Sequence, residues 1–175
     1  MKKIAIITLG TLLAVACGHN NGTPDHDALI DSISNIEQEQ LQSYFAIGTD
    51  MDKANHIIEL YSMFVSNFPD DSLAPVYMLR TAEVQINTGN FENAISTLDS
   101  IMLIYPGFED IAMCQFMKGR AYEDNQQYDL AREAYTEFVN NYPDHVLAAD
   151  TRKLLPLVGL TPEEQFEAIQ AKNRK

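Results

Sequence analysis

The feature that most constrains this chain is that it repeats itself. IIELYSMFVSNFPDD (57–71) aligns without a gap on AREAYTEFVNNYPDH (131–145), with Glu59 and Glu133, Tyr61 and Tyr135, Phe64 and Phe138, Val65 and Val139, Asn67 and Asn141, and Pro69 and Pro143 coinciding. The offset of 74 is twice 37, and Leu98, Ile101 and Pro106 occupy the places of a third copy halfway between. A chain with a period of this length forms one supersecondary unit per copy and buries its core between successive units.

The unit is helical. Phe91, Ala94, Ile95, Leu98, Ile101 and Met102 recur at helix spacing, as do Tyr128, Ala131, Tyr135 and Phe138. Gly89 or Asn90, and Asn125, are the expected turn residues between paired helices, and a proline stops the second helix of each pair. No run alternates at period two, so no strands are expected. The same register aligns Ala54, Phe91 and Tyr128, then Ile57, Ala94 and Ala131, then Ala74, Ile111 and Ala148.

These positions, clearest in INTGNFENAISTLDSIMLIYP and AYEDNQQYDLAREAYTEFVNNYP, resemble the tetratricopeptide repeat, in which a small residue sits where two antiparallel helices cross and a proline closes the pair. The resemblance implies an all-α fold: a tetratricopeptide-like solenoid of about three helical hairpins plus a C-terminal capping helix pair. The domain is expected over residues 28–175, with repeats near 38–71, 75–108 and 112–145 and a cap over 146–175. The first copy is irregular. Leu41, Phe45 and Gly48 fit its first helix, Thr49 with Asp52 is a capping pair for the next, and residues 28–37 read as a capping helix or an extended arm. Thr161-Pro162-Glu163-Glu164 predicts a sharp helix start, after which Phe166 and Ile169 are expected to cover the end of the stack.

The amino terminus reads as a targeting segment. Lys2 and Lys3 precede an apolar run of 13 residues, Ile4 to Ala16, too short for a bilayer span of about 20 residues. Leu13-Ala14-Val15-Ala16-Cys17 resembles a lipobox, so residues 1–16 are expected to be a lipoprotein signal peptide and Cys17 the lipidated first residue, although an ordinary secretory cut falls at the same bond. Residues 17–27, poor in apolar side chains, are expected to be a flexible tether. Removal of residues 1–16 takes the formal charge from −13 to −15, which disfavours nucleic acid and leaves membrane association to the lipid. Cys114, the second of two cysteines, reads as a packing residue.

No chemistry-bearing motif is present. His19, His26, His56 and His145 lack metal-ligand spacing, and there is no HExxH, paired CxxC, phosphate loop or GxSxG elbow. Acidic pairs such as Asp70-Asp71 and Glu109-Asp110 read as solvated turns, because calcium needs six or more oxygens in a defined loop. The chain is therefore read as non-enzymatic, with no cofactor and no metal. What remains is the inner groove, where the family register marks Leu79, Glu83 and Asn87 in one copy and Phe116, Arg120 and Asp124 in the next. Leu79 and Phe116 are expected to form an apolar floor and Arg120 to orient a bound segment, against the plainer reading that Arg120 pairs with Glu83 or Glu123. The lysine and asparagine clamp of chaperone-binding members is missing, since Gln42 and Ala46 stand where it begins.

Over roughly residues 38–157 the chain resembles tetratricopeptide lipoproteins of Gram-negative envelopes, including the outer-membrane β-barrel assembly and Tol-Pal coordinator types. Phe68-Pro69 to Ala74 and Tyr142-Pro143 to Ala148 carry that likeness. It implies a protein-interaction scaffold serving envelope assembly or maintenance, lipid-anchored in the outer membrane, on its periplasmic face, and binding an envelope protein or peptide segment. The alternative is a ligand- or glycan-binding lipoprotein of a nutrient-uptake system, for which the chain is short and lacks an aromatic platform.

Overall fold

The computed structural model describes residues 24–43 and 50–173. The expected signal segment, Cys17, most of the expected tether, Phe45, Ala46, Gly48 and Thr49 lie outside the described residues, as do the side chains of Leu41 and Gln42. The described chain is helical, without strands: α1 (His26–Ser43), α2 (Met51–Asn67), α3 (Leu73–Asn87), α4 (Phe91–Ile104), α5 (Ile111–Asp124), α6 (Tyr128–Asn141), α7 (Ala148–Leu154), which runs into a 3₁₀ turn (Leu155–Leu157), and α8 (Pro162–Asn173). Apart from α8, each helix packs chiefly on its neighbours in sequence, and α3 also touches α5 directly. The second helices α2, α4 and α6 make no comparable contact with one another, so the first helices form the tighter, inner layer.

The repeat positions are the core. Ala94, Leu98 and Ile101 of α4, and Ala131, Tyr135 and Phe138 of α6, are almost wholly buried, as are Ile57, Tyr61 and Phe64 of α2. Helix-stop prolines follow capping residues Phe68, Tyr105 and Tyr142, whose N–H groups donate to the carbonyls of Phe64, Ile101 and Phe138. The turn residues differ from expectation in one hairpin. Gly89 adopts a left-handed φ of +77°, and the residue at its register position is Gln126 at +59°, whereas Asn125 stays at −83°.

The first hairpin departs from the 37-residue register. Residues 28–37 are helical, inside α1, and the helix already starts at His26, within the expected tether. The Asp25 carboxylate caps it by accepting the Ala28 N–H at 2.9 Å. Leu29 and Ile33, one helical turn apart, form its buried stripe against Ile57, Tyr61, Phe64 and Tyr77. The next helix is capped by Asp50, which accepts from the N–H groups of Asp52 and Lys53; Thr49 of the expected capping pair lies outside the described residues.

At the other end the expected capping box is present: Thr161 N–H donates to Glu164 Oε2 at 2.8 Å and Glu164 N–H to Thr161 Oγ1 at 3.3 Å. Closure of the stack comes from a different place. Val158, 2% exposed, covers Ala131 and Tyr135 together with Leu154 and Leu155, while Phe166 and Ile169 of α8 are 63% and 47% exposed. Phe166 and Ile169 therefore do not cover the last hairpin as expected, because α8 leads away from it after the turn at Gly159 (φ +80°).

Candidate functional site

The inner face is carried by α3 and α5, and the crossing of each with its partner sets how it sits. Ala82 meets α4 near Leu98, whereas the equivalent crossing holds Gly119 against Tyr135. A Cβ on Gly119 would lie 2.5 Å from Tyr135 Cδ1, so only glycine lets α5 come this close to the larger ring.

The six groove residues do not behave alike. Leu79 is 8% exposed and packs in the core with Leu98 and Cys114. Phe116 is half-buried, its ring 5.6 Å from that of Tyr135 and 5.5 Å from that of Phe138. The expected apolar floor is thus largely used up in packing, Leu79 joining α3 to α4 and α5 and Phe116 joining α5 to α6 and α7. The polar members are the open ones. Glu83, Asn87, Arg120 and Asp124 are exposed on the two adjacent inner helices.

Arg120 Nε lies 3.4 Å from Asp124 Oδ2, one turn along, instead of pairing with Glu83 or Glu123. Glu123 Oε2 accepts the Tyr135 hydroxyl at 2.9 Å. The Glu83 carboxyl is held above the usual range by desolvation, and by Asp110, against the opposing pull of Arg80 and Arg120. Desolvation disfavours the charged carboxylate, while the two nearby guanidinium groups favour it.

Two side-chain networks were not read from the sequence. Glu37 of α1 accepts the Tyr61 hydroxyl at 2.7 Å and pairs with Arg80, whose guanidinium lies 5.7 Å from the Tyr77 ring centroid, so one carboxylate joins three helices. Its signal was present: Leu29, Ile33 and Glu37 share one helical stripe. His26 bridges Asp27 (2.9 Å) and Asp71 (3.0 Å) and rests edge-on against Phe68, fastening the start of α1 to the turn after α2.

Cys114 is fully buried, and burial together with Asp110 pushes its thiol up to about 12, which removes it as a nucleophile. Among the described residues no three His, Cys, Asp or Glu side chains are grouped to hold a metal ion. No described helix is long and apolar enough to cross a membrane.

Helix pairs packed in sequence order, with exposed polar side chains on the inner helices, define a helical-repeat scaffold. Residues 77–107 and 113–145 match the family model of the tetratricopeptide repeat, so the second and third hairpins carry that repeat and the fold is a tetratricopeptide-like solenoid. No curated protein matches the chain.

Proposed function

We propose that this chain is a non-enzymatic protein-interaction scaffold whose inner face receives a segment of an envelope protein. In this reading Cys17 carries lipid, and the scaffold is tethered to the periplasmic face of the outer membrane in the service of envelope assembly or maintenance. The observation that carries the binding reading is the exposed array of Glu83, Asn87, Arg120 and Asp124 across two adjacent repeats. Tetratricopeptide repeats in general bind protein segments, and one exposed cation set among carboxylates fixes the direction of a bound segment more than its affinity.

Lipidation is supported by Cys17 standing directly after the small-residue cut, and the outer membrane by Gly18, which replaces the aspartate that retains lipoproteins in the inner membrane of enteric bacteria. A photoreactive residue at Asn87 is expected to give a discrete protein adduct in cells, and Arg120→Glu to weaken its yield roughly tenfold. No adduct from the inner face overturns the scaffold reading. Acyl labelling lost in Cys17→Ser supports the anchor; labelling or membrane attachment that persists in this variant sinks it.

A further inference from the structure

The middle inter-helix turn breaks the repeat's own pattern. The register aligns Leu103 with Ser66 and Asn140, Ile104 with Asn67 and Asn141, Gly107 with Asp70 and Asp144, and Phe108 with Asp71 and His145. Where the flanking copies place polar side chains, the middle copy places apolar ones and a glycine. Leu103 and Ile104 are nevertheless 81% and 59% exposed, so packing does not explain the change. Asn67 caps its own helix end by donating to the Met63 carbonyl at 2.7 Å, an interaction that Ile104 gives up.

Of these, Ile104, Gly107 and Phe108 border a cleft of about 780 Å³ between the turn after α2 and the turn after α4. Its walls are Ile104, Pro106 and Phe108 on one side and Pro69, Pro75 and Val76 on the other. The two turns are fixed to each other by the Tyr105 hydroxyl, which donates to the Pro69 carbonyl at 2.8 Å. Gly107 also lines the cleft, and a Cβ there would project into open space. The rim carries Asp70, Asp71 and Glu109, and no basic side chain lines the cleft. Asp71 is engaged by His26 and the Leu73 N–H, while Asp70 and Glu109 are exposed.

We propose that this cleft is a second docking site, distinct from the inner face, for an extended protein segment carrying one bulky apolar side chain beside a lysine or arginine. A cleft of this size receives one or two large side chains, the kind of anchor that dominates an interface. The uniformly acidic rim selects a cationic neighbour and repels an acidic one. Val76, one helical turn before Leu79, joins the cleft to the inner layer, so a segment lying here meets α3 first.

The test uses the full chain in mild detergent and short fluorescent glycine-serine peptides with a central Lys-Phe-Lys, Glu-Phe-Glu or Lys-Ser-Lys. Only Lys-Phe-Lys is expected to bind saturably. Ile104→Asn, which installs the residue used by both flanking copies, is expected to weaken binding at least roughly tenfold, and so is Asp70→Lys combined with Glu109→Lys. Arg120→Glu on the inner face leaves it unchanged, which separates this site from the scaffold groove. No saturable binding, or equal binding by the Ile104→Asn chain, overturns the proposal. So does concentration-dependent dimerisation in sedimentation that Ile104→Asn abolishes, because it gives the cleft to a second copy.

Discussion

At the scale of single residues the repeat register acquires its physical content. Ala82 with Leu98 and Gly119 with Tyr135 are two solutions to one crossing, the smaller residue taken where the facing side chain is larger. Gly119→Ala is expected to destabilise the chain by about 1–3 kcal/mol through overpacking, measured by urea unfolding. Tyr135→Leu in the same chain should recover part of that loss; a strictly additive pair would refute the volume exchange. His26 supplies a pH dependence. Hydrogen bonds that its ring donates to the Asp27 and Asp71 carboxylates raise its pKa above 6.5, so its stabilisation of the α1 junction is fully present below 6.5 and lost as pH rises through the raised value. Asp71 is lowered from 3.8, chiefly by the Leu73 N–H, and its share is lost only as pH falls through that lower value. The junction is therefore tightest between 3.8 and 6.5. A histidine NMR titration should place the His26 midpoint above 6.5, and Asp71→Asn should move it down.

At the scale of elements, turns and caps decide where each helix ends and what it covers. Gln126 occupies the left-handed position that Gly89 fills in the preceding hairpin. A non-glycine residue there is strained by about 1–2 kcal/mol, and glycine returns part of the gain as chain entropy. Gln126→Gly should stabilise by about 0.5 kcal/mol in thermal unfolding, and a destabilised variant would show that the turn is not strained. The carboxy-terminal pair divides its work unevenly. Arg132 donates to the Val158 carbonyl at 2.9 Å, locking the turn that seals α6, while α8 buries little. Val158→Ala should cost about 2 kcal/mol, whereas removing residues 161–175 should change stability by less than about 1 kcal/mol. Denaturant midpoints of the two variants check this, and the opposite order would make α8 the true cap.

At the scale of the whole molecule, charge sets what can approach. A chain of formal charge −13 attracts basic partners over roughly a Debye length, about 8 Å at physiological salt. The association rate of a basic protein segment should fall by about tenfold between 0.05 and 0.5 M salt in stopped-flow measurements, and a salt-independent rate would exclude steering. The sequence by itself determined the helical hairpins, because apolar spacing and closing prolines act within one or two turns of their own residue. It also determined that Ala94, Leu98, Ala131, Tyr135 and Phe138 are core. Register alone also places Glu83, Asn87, Arg120 and Asp124 on the inner helices, where they are exposed. Tertiary structure decided the rest. Leu79 and Phe116 were assigned to an open floor because register gives a residue's position on its own helix and not which neighbour covers it. α1 begins early because the contacts of Leu29 and Ile33 are with residues more than twenty positions away, where no period reaches. The turn cleft is invisible in any one copy: it exists only because two turns 37 residues apart are held side by side.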